Sequence, residues 1–314
     1  MTAPRDTTTA TTTPGRTAKV VLVTGASSGF GALTADELAR NGHHVYAGLR
    51  DSTGRNRFVV EELTTRATDE DLSLTALELD VSSEASTQDA VARVISEQGR
   101  IDVLVHNAGH MVLGPAEAFT PEQLAEVYDT NVLGTQRLNR AALPHLRERG
   151  EGLVVWVGST STRGGCPPFL GPYFAAKAAG DALAVSYSAE LIKFGIDTTI
   201  ILPGAFTSGT NHFADAGQPG DADTAAAYDD LYGQLRSDVD QRLADLLPPD
   251  ADVSEVARQI RRVVELPPGQ RPFRVHIDPS RDGSEVVTAV ADRIRVDFYR
   301  RVGLDELLTP GSAL

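Results

Sequence analysis

Short apolar runs alternate with stretches whose apolar residues recur every three or four positions, from residue 19 almost to the end of the chain. VVLVTG at 20–25 is a β-branched run closed by glycine, the pattern of a strand buried on both faces. ALTADELARNG at 32–42 has apolar residues at helical spacing and an Asn-Gly stop, which predicts a helix. HVYAGL at 44–49 is the next strand. The rhythm continues with a helix over 55–67, a strand over 72–80, a helix over 84–98 and a strand in IDVLVHNAG at 101–109. A helical segment covers 121–149, with Pro121 suited to a helix start. LVVWVGS at 153–159 is a fifth strand, 172–194 a long helix, IDTTIILPG at 196–204 a sixth strand, and FRVHID at 273–278 a seventh. Repeated strand–helix units with apolar strands predict the α/β class. The specific expectation is a single Rossmann-type, doubly wound domain over 19–314, with a seven-stranded parallel sheet flanked by helices.

Three segments depart from the rhythm. Residues 1–18 are rich in Thr and cannot bury apolar surface, so a disordered tail is expected. Residues 205–250 are long, acidic and rich in Gly and Ala, with a helix expected inside; an insertion after a sheet strand suits a lid or a substrate wall. Residues 282–302 read as a terminal helix against the sheet edge or a partner subunit.

Composition narrows the functional classes. The formal net charge is −14 over 314 residues, which argues against a nucleic-acid binder and requires any anionic cofactor to find local positive charge. No stretch approaches the ~18 apolar residues of a membrane span, and the N-terminus lacks the apolar centre of a secretory signal. With a single cysteine, Cys166, no internal disulfide is available, and a cytoplasmic location is the default expectation. The seven histidines form no zinc pattern, so no metal site is expected.

The chemistry resides in three places. TGASSGFG carries Gly25, Gly29 and Gly31 between the first strand and the next helix, where glycines let backbone approach a pyrophosphate and the helix N-terminus faces its charge. PYFAAKAAGDALA carries Tyr173 and Lys177, four apart and so on one helix face. An ammonium beside a phenol is expected to lower the phenol pKa, making Tyr173 a usable acid/base. VGSTSTRGG supplies hydroxyls at Ser159, Thr160 and Ser161. Finally, Ser27 and Ser28 offer hydroxyls in the glycine turn.

With these motifs in this order, residues 19–280 resemble the short-chain dehydrogenase/reductase family, and within it an NADP-preferring subgroup similar to 17β-hydroxysteroid dehydrogenases. The resemblance implies cofactor contacts from Gly25, Ser27, Ser28, Gly29, Phe30 and Gly31, from Asp80 and Val81 beside the adenine, and from the Asn107-Ala108-Gly109 turn. It also implies contacts from PGAFTS, through Pro203, Gly204, Phe206 and Ser208. Asn131 would hold a relay water beside Lys177. Tyr173 would be the general acid/base, with Lys177 also on the nicotinamide ribose. The family hydroxyl, thirteen residues before the tyrosine, falls on Thr160 rather than a serine; Ser159 and Ser161 flank it, and the choice stays open between Thr160 and Ser159. The acid that selects NAD would fall at Leu49, followed by Arg50, so NADP (NADPH) is expected and NAD disfavoured. The implied activity is hydride transfer between the nicotinamide and a carbonyl or secondary alcohol of a small molecule. A homodimer or homotetramer would form through the Tyr173 helix and 131–149. Epimerisation or dehydration on the same scaffold, and a non-catalytic NADP-sensing module, are the alternatives.

Overall fold

The computed structural model describes residues 17–206, 209–210 and 213–308, apart from the Asp240 side chain. The expected tail thus lies almost entirely outside the described residues, as does Ser208. Seven parallel strands form one sheet in the order β3-β2-β1-β4-β5-β6-β7. They are β1 (Val20–Thr24), β2 (His44–Leu49), β3 (Leu74–Glu78), β4 (Val103–His106), β5 (Gly152–Val157), β6 (Ile196–Pro203) and β7 (Arg274–Ile277). The order reverses between β1 and β4, so a crevice opens at their carboxyl ends.

Alternate strand residues point to opposite faces, and each face packs its own helices. On one side Val21, Val23, Val45 and Val105 meet α1 (Gly29–Arg40), α2 (Arg57–Asp69) and α9 (Glu255–Glu265). On the other, Leu22, Leu104, Val154 and Trp156 meet α3 (Glu84–Gln98), α5 (Gly134–Arg149) and α6 (Gly171–Leu191).

Two elements differ from the sequence reading. The helical segment 121–149 is not continuous. It consists of α4 (Pro121–Tyr128), one wide π turn over Asp129–Leu133, and α5. Helix α9 had no counterpart, although Val256, Ala257, Ile260, Val263 and Val264 are buried at helical spacing. The 205–250 segment holds α7 (Ala222–Ser237) and α8 (Val239–Ala244). Its middle is stitched to the loop after β4: Leu113 N donates to Gly217 O and Gly217 N to Met111 O, both at 2.9 Å. Gln123 of α4 donates to Gln218 O and accepts from Gly220 N. Between the wall and lid readings, this favours a wall. The terminal helix α10 (Ser284–Arg301) lies beside edge strand β7, where Arg274 meets Asp292 and Arg295 stacks on Phe273. Among the described residues no helix is long and apolar enough to cross a membrane.

Candidate active site

The first cleft, about 570 Å³, opens at the strand-order reversal. It collects Gly25, Ser27, Ser28, Gly29 and Phe30, then Arg50, Asp80 and Val81, and the Asn107-Ala108-Gly109 turn. The turn that starts α1 has room only for glycine. Gly25 has φ +64°, and a side chain there would lie 2.7 Å from Ala108 Cα. A side chain on Gly31 would overlap Gly25 O and the Asn107 amide, so Gly31 packs beneath the turn instead of lining the cleft. Thr24 Oγ1 accepts from Asn107 N and Ala108 N at 2.9 Å, and Asn107 Nδ2 returns to Thr24 O and Gly25 O. The ends of β1 and β4 are thereby locked into a backbone cradle before the N-terminus of α1, a fit for a dinucleotide pyrophosphate.

At the far end of the cleft Arg50 is joined by Arg55, which sequence reasoning missed. Asp51, with φ +49°, turns the chain back and accepts from Arg55 N at 2.9 Å. Glu78 accepts from Asp51 N and Ser52 N, and Asn56 Nδ2 donates to Arg50 O. Both acids are thus occupied in shaping the turn, while the two guanidinium-bearing residues line the cleft. His110, also on the cleft wall, has its pKa lowered by burial and by the charge of Arg50.

A second cavity, about 400 Å³, lies beyond Phe30 and Met111, which line both spaces. Ser159, Thr160, Ser161, Tyr173, Pro203, Gly204 and Phe206 line it, so it gathers the expected acid/base, all three hydroxyls and the Pro-Gly turn. Its remaining walls are largely apolar, from Leu170, Phe174, Phe213, Leu243 and Leu246. Cys166 also lines the wall, its thiol spent on Ser161 O at 3.0 Å. Ser159 Oγ lies 2.8 Å from Ser161 Oγ and accepts from Ser161 N at 3.2 Å. Thr160, which the spacing singled out, is buried and interacts with Asp282, a wall residue absent from the sequence reading.

Lys177 sits one turn beyond Tyr173 with Nζ 5.8 Å from the ring centre, and it donates to Val157 O at 3.0 Å. Burial lowers the Lys177 pKa to about 8 and pushes the Tyr173 phenol above its ordinary value. The expected lowering of the phenol therefore gives way to the opposite shift, because burial penalises the phenolate. Behind Lys177 is a cavity of about 20 Å³ walled by Asn131, Thr135 and Asp181, roomy enough for one water. Asn131 lies in the π turn. Its Nδ2 donates to His110 O and Val127 O, and its Oδ1 accepts from His110 N. No cluster of three His, Cys, Asp or Glu among the described residues could hold a metal.

A family profile described as short chain dehydrogenase matches residues 19–219. The chain is 33% identical over 194 residues to 3-ketodihydrosphingosine reductase of Bacteroides thetaiotaomicron, covering 61% of this chain and 65% of that one. It is 40% identical over 185 residues to 17-beta-hydroxysteroid dehydrogenase type 1 of Homo sapiens, covering 58% and 55%. The match thus spans less than two thirds of either relative. Among solved structures, a short-chain dehydrogenase from Streptomyces avermitilis superposes with TM-score 0.70 at 30% identity, over 91% of this chain and 98% of that one. An alcohol dehydrogenase from Thermococcus sibiricus, complexed with 5-hydroxy-NADP, superposes with TM-score 0.64 at 25% identity, over 84% and 97%.

Proposed function

The chain belongs to the short-chain dehydrogenase family, and from that membership we propose an NADP-dependent oxidoreductase acting on a carbonyl or secondary alcohol of an apolar small molecule. One observation carries the reading: Tyr173 and the 159–161 hydroxyls line an apolar cavity that meets the glycine-turn cleft at Phe30 and Met111. When bound, the nicotinamide supplies or accepts the hydride. The chain's own residues do the rest.

In reduction, a serine hydroxyl donates to the carbonyl oxygen, and Tyr173 protonates that oxygen as its charge grows. Ser159 is the better donor than Thr160. A hydroxyl has one proton, and that of Thr160 faces the stronger acceptor, the Asp282 carboxylate. Ser161, 2.8 Å from Ser159, can donate to it and polarise it further. Lys177 and a water in the adjoining small cavity provide a route for replacing the proton Tyr173 gives up. The preference for NADP rests on Arg50 and Arg55 in the cleft and on Asp51 being turned into its own loop.

The test is NADPH consumption at 340 nm with apolar ketones. Turnover that Tyr173→Phe abolishes supports the enzyme; tight NADPH binding without turnover of any ketone or alcohol overturns it in favour of a sensor. Arg50→Asp is expected to weaken NADPH by about tenfold or more relative to NADH. An unchanged ratio would remove the cofactor preference.

A further inference from the structure

The apolar cavity contains one charged side chain among the described residues lining it, Asp282. We propose that Asp282 selects substrates with a positive charge next to the reacting carbon, so that the protein acts on amino ketones or amino alcohols with an apolar tail and rejects keto acids. This rests on the oxidoreductase reading above.

Position comes first. Asp282 lies between β7 and α10, against the loop that bears the candidate hydroxyls. A side chain on Gly164 would overlap its carboxylate, and one on Gly165 would come within 3.8 Å of its Cβ. Thr160, between Ser159 and Ser161, interacts with it directly. The carboxylate therefore stands at the reacting end of the cavity.

Its charge is the second point. Burial raises the Asp282 pKa, but hydrogen bonds with the Thr160 hydroxyl, with the Ser284 amide, which donates to Oδ1 at 2.9 Å, with the Ser284 side chain and with the Asp278 carboxyl together outweigh that and leave it lowered. It is ionised at neutral pH. No lysine, arginine or histidine among the described residues lies within ion-pair distance of it. The nearby Arg163 is committed to Asp181 and to Thr162 O. Asp278, four residues earlier, differs: Ser280 N, Ser280 Oγ and Asp282 N all donate to it, so it is consumed by its own turn. Asp282 lines the cavity, and among the described residues no cation stands opposite it.

An ionised carboxylate beside apolar walls is costly without a complement. A substrate ammonium supplies that complement, a neutral ketone does not, and a substrate carboxylate is repelled.

The experiment compares 1-aminodecan-2-one, decan-2-one and 3-oxodecanoate at pH 6.5 with NADPH. Wild type is expected to favour the amine over the carboxylate by about tenfold or more in kcat/KM, with decan-2-one between. Asp282→Asn keeps the size and a hydrogen-bond acceptor. It is expected to collapse that ratio towards one, with the amine losing about tenfold more kcat/KM than decan-2-one. An equal loss on all three compounds, or a wild-type order unchanged by the substitution, overturns the proposal. If no ketone is reduced, the oxidoreductase reading fails separately. Calorimetric binding of decylamine and decanoate to the NADPH-loaded protein then decides: amine preference lost in Asp282→Asn supports the selector, and equal binding overturns it.

Discussion

Tyr173 and Lys177 are both pushed by burial towards their neutral forms. The two shifts have opposite consequences for the two directions of reaction. A general acid must hold its proton, and Tyr173 holds it across the neutral range, so reduction is limited on the alkaline side by loss of the Lys177 charge near pH 8. A general base must lose its proton, so alcohol oxidation gains as pH rises. The expected profiles are a reduction kcat/KM flat from pH 6 to about 8 and falling above, and an oxidation rate that climbs through pH 10. Parallel profiles for the two directions would show that another group controls the rate. Thr160 illustrates what spacing cannot reveal. Counting back from Tyr173 lands on it, but its partner is Asp282, over a hundred residues away and unmarked by any local pattern. Ser159→Ala is accordingly expected to lower kcat by about 10²-fold, the usual loss for one oxyanion donor. Thr160→Val should act chiefly on KM. A kcat loss of that size in Thr160→Val, with Ser159→Ala near wild type, would return the role to the residue the spacing picked.

His106, at the end of β4, is buried against Trp156 and bonded to Asn139 at 2.8 Å. Burial lowers its pKa from 6.5 to about 4, with the Asn139 bond opposing weakly. The unfolded chain takes up this proton first as pH falls below 6.5, so the group's contribution is fully present above that pH and is lost on the way to pH 4. Its size is about 3 kcal/mol. Urea unfolding of wild type and His106→Gln at pH 7 and pH 4.5 checks it: the variant should lose less stability between the two.

At the scale of elements, the strands and most helices were legible because apolar period and glycine punctuation are local properties. The glycine turn was legible for the same reason, and the structure supplies its cause in the contacts of Gly25 and Gly31 with Ala108, Gly25 O and Asn107. Helix α9 carries a readable stripe, but it lies past the irregular 205–250 segment and has no counterpart in the sequence reading. The π turn was not readable, since its sequence, DTNVL, fits an α-helix equally well. What makes it visible is tertiary: Asn131 anchors the widened turn to the loop after β4 by two hydrogen bonds with His110, and bonds back to Val127 O of α4. Arg55 was hidden similarly, because only the positive φ of Asp51 brings that stretch back to the cleft. Asn131→Ala removes all three bonds and leaves His110 N and O without those partners. A loss of about 2–4 kcal/mol is expected in denaturant unfolding, with NADPH affinity little changed because Asn131 does not line the dinucleotide cleft. A variant as stable as wild type would show that the π turn holds without its anchor.

For the whole molecule, association with a second copy is a proposal to test, and two surfaces compete for it. Helix α10 exposes Val286, Val290, Ile294 and Phe298, with Ile294 61% and Phe298 54% exposed. Four-residue spacing makes this one stripe. Helix α6 presents a different face, with small residues Ala175, Ala178, Ala179 and Ala182 all reached by solvent, near the exposed Leu133 at the start of α5. Area alone favours α10, but close helix approach favours α6, since small side chains let two helices pack at the short end of the usual 8–10 Å range. A pair formed across α5 and α6 would also brace the helix that carries Tyr173 and Lys177, coupling assembly to the site. Dimer or tetramer mass is therefore expected in analytical ultracentrifugation, with Ala179→Arg combined with Leu133→Glu shifting it to monomer and lowering turnover. Ile294→Ser with Phe298→Ser should leave the mass unchanged. The reverse pattern would assign the interface to α10 and separate association from the active site.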